Sequence, residues 1–123
     1  MRTLWLTLGT LLIGSIWVLS LIPHPPHFGV TNEDKVGHLI AYGFTMWWWG
    51  QLWLSWRHRL LLALSLAAMG VAIEFVQGWT GWRTFDTKDM LANSVGVLLG
   101  WALLYTSAGR FYRYFDPAYQ KRS

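Results

Sequence analysis

The chain has no cysteine, which excludes disulfides, a thiolate nucleophile and cysteine-ligated zinc and leaves the redox compartment open. Charge is scarce as well: Asp, Glu, Lys and Arg make up 13% of 123 residues. No stretch outside the apolar blocks is long enough to build a soluble catalytic domain, and the length excludes two independent cores. What fills the chain is apolar, at 54% hydrophobic with ten Trp, gathered in blocks rather than in an amphipathic pattern. Blocks of about 18 to 20 residues match a hydrocarbon core about 30 Å thick at a rise of about 1.5 Å per residue. This is the sequence of an integral membrane protein.

The blocks predict a single all-α domain over 1–123, an antiparallel bundle of four transmembrane helices at about 4–22, 35–54, 60–77 and 88–105, with a basic tail over 106–123. The run Pro23-His24-Pro25-Pro26-His27 forces an extended exit from the first helix. Its two histidines read as a polar loop rather than a metal site. Trp56-Arg57-His58-Arg59 reads as a tight hairpin turn, and Gly78-Trp79-Thr80-Gly81-Trp82-Arg83 as a second turn. Arg2 and the apolar run after it resemble a signal peptide, but no Ala-x-Ala-like site follows, so a retained helix is expected.

Lys and Arg near helix ends set orientation. Arg2, Arg57, Arg59, Arg110, Arg113, Lys121 and Arg122 fall on one side of a four-span arrangement, and only Lys35, Arg83 and Lys88 on the other. Both termini and the central turn are therefore expected in the cytoplasm. The basic, aromatic tail from Arg110 suits an anionic inner leaflet, and the formal net charge of +4 does not point to nucleic acid. Trp5, Trp53 and Trp56 are expected at the inner interface, and Trp79 and Trp82 at the outer one. Trp47-Trp48-Trp49 points around most of a helix, with packing favoured over ligand stacking and at least one ring facing lipid.

Against this background the polar residues stand out. Lys35, His38 and Tyr42 share one face of the second helix, Glu74 and Gln77 one face of the third. Asp89, Asn93, Gly96 and Gly100 form a single stripe on the fourth. An acid inside an apolar segment costs several kcal/mol, on the order of 3 on insertion scales, so Glu74 calls for a partner and a purpose. Gly96-x-x-x-Gly100 lets two helices approach closely, which would hold Asp89 and Asn93 beside Glu74 or His38. Arg83, beside Asp86 and Asp89, is a ready phosphate or carboxylate clamp. Bland roles compete: Asp34 and Asp89 stand near helix starts, where carboxylates cap free N–H groups or complement the dipole, and Tyr42 and Asn93 suit interhelical hydrogen bonds. Together the residues describe a polar cleft in the outer part of the membrane.

The order Asp34-Lys35-x-x-His38-x-x-x-Tyr42, then Glu74-x-x-Gln77, Arg83, Asp89, Asn93 and Gly96-x-x-x-Gly100 resembles the VanZ-like membrane protein family over about 34–100. Asp86 fits an Arg-x-Phe-Asp variant of the loop that some members show. The resemblance implies a small multi-pass protein of the bacterial inner membrane, in a family named after a glycopeptide (teicoplanin) resistance protein. It implies association with the cell envelope and no established reaction.

Two functions follow from the cluster, and the sequence leaves enzyme and binder open. In the first, Glu74, His38 and Asp89 act on a lipid-linked or headgroup envelope substrate, with Asp34, Lys35, Tyr42, Gln77, Arg83, Asp86 and Asn93 binding it. Glu74 and His38 would then exchange protons. No cofactor is specified; oxygen ligands would favour Mg2+ or Ca2+, and His38 with acids would admit Zn2+. In the second, the same cleft binds an envelope lipid or glycopeptide without turnover, or serves an assembly. The expected partners are membrane lipids and a lipid-linked envelope precursor. A transporter is less favoured, because the polar residues occupy only the outer half of the spans. The purified protein should keep its first helix, which intact mass checks: cleavage after Ile22 would remove about a sixth of the chain.

Overall fold

The computed structural model describes residues 2–22, 33–81 and 87–115, without the side chains of Glu33 and Asp34. All regular structure among these residues is helical. Helix α1 spans Arg2–Leu21, α2 Glu33–Gly50, α3 Trp56–Thr80 and α4 Thr87–Leu103. A 3-10 turn at Ser107–Arg110 leads into the short α5, Phe111–Phe115.

Two of these helices, α1 and α3, are by themselves long and apolar enough to cross a membrane. A third crossing is reached if α4 and the turn and helix after it count as one span, bent by 76°. The expected second and fourth spans fall short of that standard. Helix α2 opens on Glu33, Asp34 and Lys35, and α4 is only 17 residues long with Lys88 and Asp89 in its first turn.

The expected boundaries shift where side chains cap the backbone. Helix α2 ends at Gly50, and the chain turns with Leu52 and Trp53 donating to the carbonyls of Trp49 and Gly50. Ser55 then caps α3, its hydroxyl accepting from the Arg57 N–H. The segment Trp56 to Arg59, expected as a turn, is therefore the first turn of a 25-residue helix about 37 Å long. Gly78 to Thr80 are helical too, and α3 stops at Gly81, whose φ of 83° is the left-handed cap glycine takes without strain.

Helices α2 and α4 lie side by side and run the same way, since Leu39 meets Gly96, Gly43 meets Gly100 and Gly50 meets Leu104 in order. Gly96 rests on the carbonyl of Leu39 and Gly100 on the carbonyl of Gly43. With no Cβ at either position, backbone packs on backbone along this seam. Helix α3 runs opposite to both, with Arg59 at the end of α2 and Gly70 beside Tyr42 and Asn93. Helix α1 runs opposite to α2, its Trp5 stacked on Trp48 at 3.7 Å between ring centres. The buried apolar core lies between them, built around Ile16, Tyr42, Met46, Leu66, Ile73 and Val97.

The three consecutive tryptophans are packing groups, and each is half-buried, so none is simply turned to lipid. Their indole N–H groups donate to the carbonyls of Ala108, Trp5 and Gly9 in turn, while the indole of Trp5 donates back to the Trp48 carbonyl. Trp5 is consequently buried rather than placed as an interfacial anchor.

The start of the expected basic tail also folds back onto the body. Tyr112 is buried against Trp5 and Leu52, and Gln51 spans the gap, donating to the Ala108 carbonyl and accepting from the Tyr112 N–H. Arg59, expected as an orienting surface charge, is 4% exposed. Its Nε donates to the carbonyls of Trp53, at 2.8 Å, and Gly50, at 3.4 Å, and its guanidinium lies 5.0 Å from the centre of the Tyr105 ring. A cation there complements the negative end of α2.

Replacing Gly100 by Leu should separate α2 from α4 and cost about 1 to 3 kcal/mol, the usual range for overpacking. The unfolding midpoint in an SDS titration of mixed micelles reads this. Gly14→Ala is the control, because a Cβ there meets nothing within 4 Å; equal midpoints for both variants would contradict the seam.

Candidate functional site

The polar residues gather at the end of the bundle where α2 and α4 begin and α3 finishes. Each helix offers one face. On α3 the buried positions Leu66, Gly70, Ile73, Glu74 and Gln77 follow the helical repeat. On α4 they are Asp89, Asn93, Gly96, Val97 and Gly100, the stripe the spacing predicts. Because α2 and α4 are parallel, their first turns meet in register, and the polar side chains pair in layers.

The outermost layer joins Lys35 Nζ to Asp89 Oδ1 at 3.7 Å. Asp89 also lies in the first turn of α4, where a carboxylate favours the positive end of the helix. One turn deeper, His38 Nδ1 and Asn93 Oδ1 are 2.8 Å apart. The His38 ring lies parallel to that of Tyr42, with 5° between planes and 6.4 Å between centres. Deeper again, Tyr42 and Asn93 both reach the bare backbone of Gly70. A Cβ placed at Gly70 would stand 2.8 Å from Asn93 Nδ2 and 3.4 Å from the Tyr42 hydroxyl. Glu74 stands one turn along α3 from Gly70, fully buried. Gln77 completes the face, donating from Nε2 to the Ser20 carbonyl at the end of α1, at 2.7 Å.

The deeper of these residues are interior rather than the lining of an open cleft. Glu74 has no exposed surface, and Tyr42, Gln77 and Asn93 each keep 1%. Among the described residues the Tyr42 hydroxyl, Gln77 Oε1 and Asn93 Nδ2 are buried without a hydrogen-bond partner. Buried polar atoms in a membrane protein are ordinarily satisfied, so three such atoms brought together from three helices call for an explanation.

The structure thus brings together Lys35, His38, Tyr42, Glu74, Gln77, Asp89 and Asn93 from the expected set. Asp34 (as a side chain), Arg83, Asp86, His24 and His27 lie outside the described residues. The partner of His38 is Asn93, rather than Glu74 directly. Among the described residues no three or more His, Asp or Glu converge to hold a metal. Two contributors escape a reading of side chains alone: Gly70, whose signal is its position four residues before Glu74, and the Ser20 carbonyl, which carries no sequence signal.

The bond from Gln77 ties α1 to α3 at this end. Gln77→Leu should lower the SDS midpoint only slightly, since such membrane hydrogen bonds average about 0.6 kcal/mol and reach about 1.7. Amide exchange in the last turn of α1 should rise, while the Trp5 end stays protected. Unchanged exchange near Ser20 would show that Gln77 does not hold α1 in place.

No curated protein and no solved structure matches the chain. A family model described as VanZ/LLP1 matches residues 7–108. The match runs from the first turns of α1 to the 3-10 turn after α4 and contains every candidate residue from Asp34 to Asn93. The chain belongs to the VanZ/LLP1 family.

Proposed function

We propose that this VanZ/LLP1 protein is a four-span protein of the bacterial inner membrane, with both termini in the cytoplasm. Its polar end would engage the headgroup of an anionic or lipid-linked envelope compound at the outer leaflet and so contribute to glycopeptide tolerance. The observation that carries this reading is the convergence of Lys35, His38, Tyr42, Glu74, Gln77, Asp89 and Asn93 from three helices at one end, with buried polar atoms left over. Interhelical hydrogen bonds of about 0.6 kcal/mol are a weak reason to place so many polar groups in an apolar bundle, and intramembrane ionisable residues mark function by default.

In this reading Lys35 meets the negative charge of the headgroup at the rim. Glu74 and His38 are the candidate acid and base, Asp89 orients Lys35, and Tyr42, Gln77 and Asn93 offer hydrogen bonds. Arg83 and Asp86, between α3 and α4 in sequence, and Asp34, next to Lys35 in sequence, are proposed to complete the recognition of the headgroup. A binder without turnover is the second reading, favoured by the complete burial of Glu74; the headgroup would then be held and presented to another envelope component.

The test is native mass spectrometry of the detergent-solubilised protein, wild type beside Glu74→Gln, with the SDS midpoint confirming that both fold. Wild type should retain an anionic or lipid-linked species that Glu74→Gln loses. Bulk phospholipid alone in both would overturn the headgroup site. Cells expressing Glu74→Gln should also lose the protection against a glycopeptide antibiotic that wild type confers.

A further inference from the structure

We propose that Asn93 is a positioning residue for His38: it holds the imidazole proton on Nδ1 and leaves Nε2 as the basic nitrogen offered to the headgroup. The inference rests on the reading of His38 as a proton-handling group, and it concerns how that group is set rather than whether a ligand binds.

The geometry runs through one amide. Asn93 Oδ1 lies 2.8 Å from His38 Nδ1. With the amide turned so that its oxygen, which only accepts, faces the ring, Nδ1 carries the hydrogen and donates it. A neutral imidazole holds one proton, and the bond made by one nitrogen decides the state of the other. With the proton on Nδ1, Nε2 keeps its lone pair. It can take a proton from a bound hydroxyl, becoming imidazolium without breaking the bond to Asn93, and return it afterwards.

The amide itself is held. Asn93 is 1% exposed, and its Nδ2 is turned to Gly70, where only glycine leaves room: an added Cβ would stand 2.8 Å from Nδ2. The ring plane of His38 is set as well, parallel to that of Tyr42. A purely structural role for the His38–Asn93 bond is weak, because α2 and α4 are already joined less than a turn further along, where Gly96 meets the Leu39 carbonyl. What the bond adds to that seam is a chosen tautomer, and the free histidine side chain favours the opposite one, with the proton on Nε2.

The experiment is solid-state NMR of 15N-histidine-labelled full-length protein in bilayers, with the His38 signals assigned by their loss in His38→Gln. In the wild type, His38 should show a protonated Nδ1 and a bare Nε2. Asn93→Leu should move the proton to Nε2, Asn93→Asp should keep it on Nδ1, and Gly70→Ala, which forces the amide aside, should reproduce the effect of Asn93→Leu. A wild-type His38 protonated on Nε2 would overturn the inference, as would a tautomer unmoved by both Asn93→Leu and Gly70→Ala. The wild-type spectrum decides even where a variant fails to fold. Because the tautomer is read without ligand, a correct tautomer with no retained headgroup would sink the headgroup site alone. A retained headgroup over an Nε2–H imidazole would sink this inference alone.

Discussion

The close approach of α2 and α4 governs the rest of the molecule. Gly96 and Gly100 bring one helix backbone onto the Leu39 and Gly43 carbonyls of the other, and because the two helices are parallel, their charged first turns are forced to the same end. Lys35 then has to meet Asp89, and His38 has to meet Asn93. A side chain at either glycine would displace the layers together, since their register is inherited from the same seam.

The opposite end is arranged on a different principle. There, rings and backbone carbonyls are matched: indoles of Trp5, Trp47, Trp48 and Trp49 donate to carbonyls, and Arg59 and Gln51 collect the carbonyl and N–H groups left over where helices end. Those groups are matched to one another, as expected where no water competes for them. The polar end keeps donors and acceptors in reserve.

Much of this was legible in the residues themselves. The stripe of Asp89, Asn93, Gly96 and Gly100 follows from spacing alone, as does the shared face of Lys35, His38 and Tyr42, because helical geometry converts sequence separation directly into direction. Which helix the glycine stripe meets was not legible: Gly43 and Gly50 share a face of α2 seven residues apart, a sparser pattern than the four-residue step of Gly96 and Gly100. The hairpin was misplaced because Arg57 and Arg59 look like solvated loop charges, whereas Arg59 is spent on carbonyls at the end of α2. The fold-back of α5 depends on Gln51 meeting a main-chain N–H some sixty residues later, and no local pattern announces such a contact. Glu74 was picked out as an acid in an apolar run, but its complete burial reflects the lid formed by neighbouring helices, which spacing does not describe.

The unequal joints between helices have a mechanical consequence. Helices α2 and α4 touch through backbone, over several turns, and gain nothing by parting. Helix α3 meets them at the polar end through the bare backbone of Gly70, and Gln77 on α3 donates to a carbonyl of α1 there. On the proposed headgroup reading, uncovering Glu74 would call for α3 to shift against the joined pair rather than for α2 and α4 to part. On that reading, a compound held in the leaflet would approach past α3, and one arriving from water would first meet the Lys35–Asp89 pair.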